Sequence, residues 1–313
     1  MAELVTLGET MLRLSPPTGE RLETATRLEC RTAGAESNVA IAASRLGTDA
    51  AWLSKLPESP LGRRVVGDVQ RHGVDPLIAW SEDGRQGTYY LEQGGEPRAT
   101  DVIYDRADAA ITSATTGDLA VEAVEDAELF FTTGITPALS DTCFETTRQL
   151  LEVADRTAFD LNYRSKLWSD SEAASAYEAL LRDVDVLFAP ERDVESILGI
   201  DGQPRTVAET LRDRFGCETV VLTRGEHGAL ARTPAGTVEQ PAIDADTLDP
   251  IGTGDAFVGG YLSRILDGEA VERALAYGAA TAALKRTITG DLAVVTERAV
   301  ERVLDDRTTD IER

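Results

Sequence analysis

Asp249-Pro250-Ile251-Gly252-Thr253-Gly254-Asp255-Ala256-Phe257, running on through Val258-Gly259-Gly260-Tyr261, is the stretch on which the reading of this 313-residue chain turns. Phe257, Gly260, Tyr261, Arg264 and Ile265 recur at helical spacing, so a glycine-rich loop opens here into a helix N-terminus. Such a loop suits an anion, because its free N–H groups point outward and the helix dipole adds positive potential. Asp255, at the helix entrance, has two readings. It is a cap or first-turn acid, or it is a base beside a nucleotide site. In the second reading the carboxylate takes a hydroxyl proton while the amides of Gly252, Thr253 and Gly254 steady charge on a phosphoryl group in transit.

Outward from this loop, the chain reads as α/β. Strand-like runs at 129–132, 157–160, 184–188 and 219–222 alternate with helical patterns around 141–154, 171–182, 191–198 and 206–215. That rhythm predicts a mainly parallel central sheet with helices on both faces. Earlier, 4–7 and 52–56 read as strands, while 39–46 and 62–71 read as helices; 271–286 and 296–304 close the chain as two more helices. The rhythm breaks at 86–108, where 88–91 and 101–104 are strand-like with no helix between them. With 11–32 this segment predicts a small β-sheet lid, and such a sheet needs a cleft or a second subunit to cover a face. One domain over 1–313 with that lid is the expected organisation, ending in a solvated tail over 305–313.

Composition narrows the function. Fifty-five acidic residues against 31 Lys plus Arg give a net charge of −24, and only Lys55, Lys166 and Lys285 are lysine. Nucleic acid is a poor partner for such a surface. The balance suits a salt-rich cytoplasm, where screening removes the self-repulsion. Unfolding on transfer to low salt is the expected result, and a denaturation midpoint indifferent to salt would remove the idea. No apolar run approaches 18 residues and no charged-then-apolar leader is present, so no membrane partner is expected. Cys30, Cys143 and Cys217 form no Cys-x-x-Cys pair, which fits a reducing cytoplasm without disulfides or structural zinc.

The 249–261 stretch resembles the C-terminal signature of the ribokinase-like sugar kinases, the PfkB family, with Thr253 where that motif usually has alanine. Ala33-Gly34-Ala35-Glu36-Ser37-Asn38, ahead of the alanine-rich helix, is similar to the family's N-terminal signature, with Ala33 in place of its first glycine. Taken alone, Gly34 and Asn38 there are ordinary capping residues. Tyr104-Asp105-Arg106, Ile135-Thr136-Pro137-Ala138-Leu139 and Asp160-Leu161-Asn162-Tyr163-Arg164 resemble the 2-keto-3-deoxygluconate kinase subgroup over nearly the whole chain.

The resemblance implies a ribokinase-like fold and ATP-dependent phosphorylation of 2-keto-3-deoxygluconate at its terminal hydroxyl. It implies that Gly34, Asn38, Tyr90, Tyr104, Arg106, Arg164, Asp255 and Asp291 line the sugar-acid site. Asn162, Arg164, Thr223, Gly225, Gly228, Gly252 and Gly254 would hold ATP, with Asp255 as base. Arg106 and Arg164 would supply cationic forks for the acid's carboxylate. Tyr90 and Tyr104 also read as lid core, Asp291 and His227 as turn residues, and the 162–166 run as a polar loop. Magnesium is implied with ATP, and a monovalent cation is left open. The protein groups around magnesium are not assigned: Pro190 and Asp193 stand where the family carries Asn-x-x-Glu, and Glu191 and Asp193 read equally as first-turn acids. A homo-oligomer joined through the lid is expected. The alternatives are a kinase of a neutral sugar or nucleoside and, in another class, a non-catalytic sugar or nucleotide sensor. The direction of one hydroxyl, gluconate against galactonate, is not legible in the chain.

Overall fold

The computed structural model describes residues 2–305; the expected tail lies outside the described residues from 306 onward. Thirteen strands and ten helices are described. The strands are β1 (Leu4–Leu7), β2 (Met11–Ser15), β3 (Glu29–Ala33), β4 (Ala50–Pro57), β5 (Asp75–Ser81), β6 (Thr88–Glu92), β7 (Asp101–Asp105), β8 (Leu129–Thr133), β9 (Thr157–Asp160), β10 (Val186–Pro190), β11 (Thr219–Thr223), β12 (Ala229–Thr233) and β13 (Gly236–Gln240). The helices are α1 (Ala35–Arg45), α2 (Pro60–Gln70), α3 (Val121–Glu125), α4 (Asp141–Val153), α5 (Asp170–Leu180), α6 (Glu191–Asp193), α7 (Pro204–Phe215), α8 (Thr253–Leu266), α9 (Val271–Arg286) and α10 (Glu297–Leu304).

Nine strands make one sheet, in the order β13-β12-β11-β10-β9-β8-β1-β4-β5. It is parallel from β5 to β11, and β12 and β13 turn back antiparallel. Its middle strands are buried on both faces, β8 at every residue, which is why they read as mainly apolar runs without a polar face. The two faces carry two large cores, one around Phe130, Phe159 and Tyr177, the other around Trp52, Phe131, Phe188 and Tyr261. The chain runs from β1 outward to β5, then returns to β8 on the other side of β1. That reversal makes β1/β8 the switch point, beyond whose carboxyl end a ligand crevice is expected.

The lid is a separate sheet, β3-β2-β6-β7. Alternation sends Met11, Ala33, Tyr89, Leu91, Val102 and Tyr104 to its inner face, where they pack with Ile251 of the glycine-rich loop. The outer face carries a row across all four strands, Cys30–Leu14–Tyr90–Ile103 in register, with Ile103 half exposed.

Several expectations shift. The expected strand at 184–188 lies two residues later, so Pro190 closes β10 opposite Thr223. The helix expected at 191–198 keeps only its first turn before a π turn at Val194–Leu198. Strand β5, absent from the sequence reading, pairs only with β4 and contains Pro76; an edge strand with one free side tolerates that proline and loses the buried-strand pattern. The short helix α3 and the β12–β13 hairpin are also additions, the hairpin reached through the Gly225–Gly228 turn.

Candidate active site

A cleft of about 1620 Å³ opens at the carboxyl ends of β1, β9, β10 and β11, roofed by the lid and floored by the start of α8. Gly252 caps α8 with φ of 80°, and a Cβ there would run into the carbonyl of Asp291, so only glycine fits. The first helical bond is donated by Ala256 N–H to the Gly252 carbonyl, 2.9 Å. The amides of Gly254 and Asp255 therefore lie ahead of the ladder, at the positive end of the helix. Thr253 turns its hydroxyl back on the Pro250 carbonyl, 2.7 Å, so the departure from alanine keeps the loop shape.

Asp255 opens onto the cleft, and Asn38 Nδ2 donates to its Oδ2 at 2.7 Å. Burial raises its carboxyl to about 6, against the lowering effect of the Asn38 bond and of Arg164. That value leaves the group ionised near neutral pH and able to take a proton. Two of the other carboxyls lining the cleft, Asp160 and Glu36, are shifted upward as well. Burial, with Asp255 adding repulsion, pushes Asp160 to about 8, while burial raises Glu36 to about 7 although Thr133 and Thr136 donate to its Oε1.

On the lid side, Tyr104 stands opposite Tyr89, ring centroids 6.0 Å apart, and the Arg106 guanidinium lies 5.5 Å above the Tyr104 ring. Arg106 Nη2 donates to the buried carboxylate of Glu9, at the end of β1. Arg164 donates to the carbonyls of Asn162 and Tyr163 (3.3 and 3.0 Å) and reaches the same cleft as Asp255 and Arg106. On the opposite side Thr223 ends β11, Gly225 and Gly228 shape its turn with positive φ, and Asn162 follows β9 with its N–H donated to Asp160 Oδ1 (3.0 Å). Buried polar atoms without a partner include Glu9 Oε1, Glu36 Oε2, Arg106 Nε, Asp193 Oδ2 and Arg224 Nε, all on residues lining this cleft. A polar ligand there would relieve them.

Cavity, helix-mouth amides and a raised carboxyl are what phosphoryl transfer to an alcohol requires. Residues 1–297 match the model of the pfkB family of carbohydrate kinases. The chain belongs to that family. It is 64% identical, over 97% of its length and 96% of the relative's, to a 2-dehydro-3-deoxygalactonokinase of Haloferax volcanii. A 2-dehydro-3-deoxygluconokinase of Thermoproteus tenax is 30% identical over 93% of this chain and 90% of its own. The crystal structure of a 2-dehydro-3-deoxygluconokinase from Thermotoga maritima superposes with a TM-score of 0.91, at 32% identity, covering 96% of this chain and 98% of that one.

Most of the expected site residues of this PfkB kinase meet in the one cleft: Gly34, Asn38, Tyr104, Arg106, Asn162, Arg164, Thr223, Gly225, Gly228, Gly252, Thr253, Gly254, Asp255 and Asp291. Tyr90 does not. Strand β6 turns Tyr90 to the outer face beside Leu14 and Ile103, and Tyr89 takes the inward place. Two adjacent tyrosines on a strand point to opposite faces, and the alternation of Tyr89 with buried Leu91 was the available signal. Asp291 lines the cleft with its oxygens already engaged, Oδ1 by Arg13 Nη1 (2.5 Å) and Oδ2 by the Tyr89 hydroxyl (2.7 Å). His227 is an exposed turn residue at the cleft mouth. Glu9, Glu36 and Tyr89 line the cleft and were missed as site residues, as was Arg13 behind Asp291. Only Arg13, between Leu12 and Leu14, stands out in the chain as a charge among apolar neighbours.

Proposed function

We propose that this carbohydrate kinase transfers the γ-phosphoryl group of ATP to the terminal hydroxyl of a 2-keto-3-deoxy sugar acid. Of the two epimers, 2-keto-3-deoxygalactonate comes first, ahead of the gluconate favoured by the sequence reading. The observation that carries the sugar-acid class is the pair of arginines, Arg106 and Arg164, in the cavity that Asp255 shares. A neutral sugar needs neither. The galactonate preference rests on the 64% identity to a kinase of that name.

In this reading Asp255 takes the proton of the acceptor hydroxyl, and its oxygen attacks the γ-phosphorus while the bond to the ADP oxygen breaks. The helix-mouth amides stabilise the charge that moves between them. Magnesium, when bound with ATP, neutralises phosphate charge. Among the described residues no three metal-ligating side chains converge, which suits an ion held chiefly by phosphates and water. Asp193, buried with Oδ2 unpartnered, and Asp160 are the groups that would hold such waters. In this reading Asp193 takes the role left open by the missing Asn-x-x-Glu.

The test is an acceptor panel with ATP and magnesium, with potassium exchanged for sodium to read any monovalent requirement. Turnover of both keto-acids, galactonate faster, is expected; rapid turnover of fructose with neither acid would overturn the reading. In the same panel Arg106→Lys keeps a cation beside Glu9 but loses the fork. It should raise KM for the keto-acid about tenfold or more and leave KM for ATP nearly unchanged. We also propose that a second copy covers the Cys30–Leu14–Tyr90–Ile103 row; a one-chain mass in solution across the salt series would remove that.

A further inference from the structure

We propose that Asn38 is a positioning residue for Asp255: it fixes the carboxylate's rotamer and holds it ionised. The family resemblance assigns Asn38 to sugar hydroxyls, but here its Nδ2 is donated to Asp255 Oδ2 at 2.7 Å, while its Oδ1 faces the Gly34 amide at 3.5 Å. Asn38 is 4% exposed, so this amide is not a solvent-facing group that happens to lie near an acid. Facing a carboxylate oxygen, the amide must present N–H, which favours the charged form of Asp255.

The packing of α1 on α8 shows how the contact is built. One turn beyond Asn38 and one turn beyond Asp255 lie Ala42 and Gly259. A Cβ on Gly259 would come 2.5 Å from the Ala42 methyl and 2.7 Å from the Val39 carbonyl. Glycine at 259 therefore lets the two helices approach closely while running in the same direction, and that approach brings Asn38 to Asp255. The amide holds Oδ2, leaving Oδ1 as the oxygen free to face an acceptor hydroxyl.

Other charges face the same carboxyl: Arg164 from the loop after β9 and Lys285 from α9 favour its ionised form, and Asp291 opposes it. Asp160 on β9 and Glu36 on α1 feel Asp255 in turn. None of these side chains is substituted in a neutral replacement of residue 38, so a shift in such a variant is assigned to loss of the amide.

The proposal rests on the kinase reading above, and its test keeps the two apart. Single-turnover kcat is measured against pH with the keto-acid for the wild type, Asn38→Leu and Asn38→Asp. Leucine removes the donor at similar size; aspartate keeps the shape and adds a second carboxyl. In Asn38→Leu the acid limb should move up by ~1 unit, lowering turnover at pH 6 about fivefold. In Asn38→Asp it should move further, because like charges share the site. KM for the keto-acid should stay within about threefold in the leucine variant. An unmoved limb in both variants with a raised KM would make Asn38 a sugar ligand and overturn the proposal. If leucine prevents folding, Asn38→Ala, which also removes the donor without adding a charge, decides. Should the wild type turn over no sugar acid, that failure belongs to the functional reading; carbon-13 titration of the Asp255 carboxyl in wild type and Asn38→Leu still decides this one, an unmoved titration overturning it.

Discussion

Asp255→Asn is expected to lower kcat by about 10²–10⁴-fold, the range for losing a general base, while KM for ATP and acceptor changes little. The substitution is a clean one here. Asparagine at 255 still offers an oxygen to Asn38 Nδ2, so the α1–α8 contact at 2.7 Å has no reason to open. Only the proton-accepting charge disappears. The pH dependence carries the same information with a definite sign. A carboxyl held at about 6 is ionised above that value and protonated below it. Wild-type turnover should therefore fall as pH drops through about 6, and the residual turnover of Asp255→Asn should lack that limb. Wild-type-like turnover in the variant would leave Asp255 as a mere first-turn acid and remove the mechanism.

Arg13→Met, behind Asp291 of the cleft wall, should destabilise the fold by about 3–5 kcal/mol, the cost of breaking a buried ion pair and stranding its partner. Arg13, on lid strand β2, is 3% exposed and forks between Asp291 Oδ1 (2.5 Å) and Asp249 Oδ2 (3.0 Å). The Tyr89 hydroxyl and the Gly290 amide complete the carboxylates, and the buried ammonium of Lys285 donates to the Asp249 carbonyl at 3.0 Å. The knot ties two lid strands to the glycine-rich loop and to the segment after α9. Removing the guanidinium leaves two carboxylates with Lys285 as the remaining cation of the knot, a large fraction of the ~5–15 kcal/mol by which a domain is stable. Urea unfolding should show a lower midpoint at unchanged slope. Arg13→Lys should recover part of the loss, since it keeps charge without the fork. A change below about 1 kcal/mol would mean that the lid is anchored elsewhere.

The central layer was legible because its signal is local. Strands buried on both faces are mainly apolar with no alternating polar face, and the chain at 157–160 and 219–222 shows that pattern; the elements found there are Thr157–Asp160 and Thr219–Thr223. The caps of two helices, Ser169 with Glu172 at the start of α5 and Gly216 after α7, were found only in the structure. The lid was legible as strands but not as faces. Tyr89 and Tyr90 each fit a half-buried strand, and only docking on Ile251 and Asp291 decides which ring looks into the cleft.

The glycine-rich loop, its Asp255, the parallel sheet and Arg164 at a strand end came from the chain alone, because backbone conformation, periodicity and residue chemistry are properties of neighbours in sequence; Arg106 came through the family resemblance. The partners of buried charge did not. Glu9 with Arg106 is a pair 97 residues apart, Arg13 with Asp291 one of 278, and Asn38 with Asp255 one of 217. No spacing rule links such residues. They meet because helices and sheets pack without room for an unpaired charge, and that constraint acts only once the tertiary structure exists.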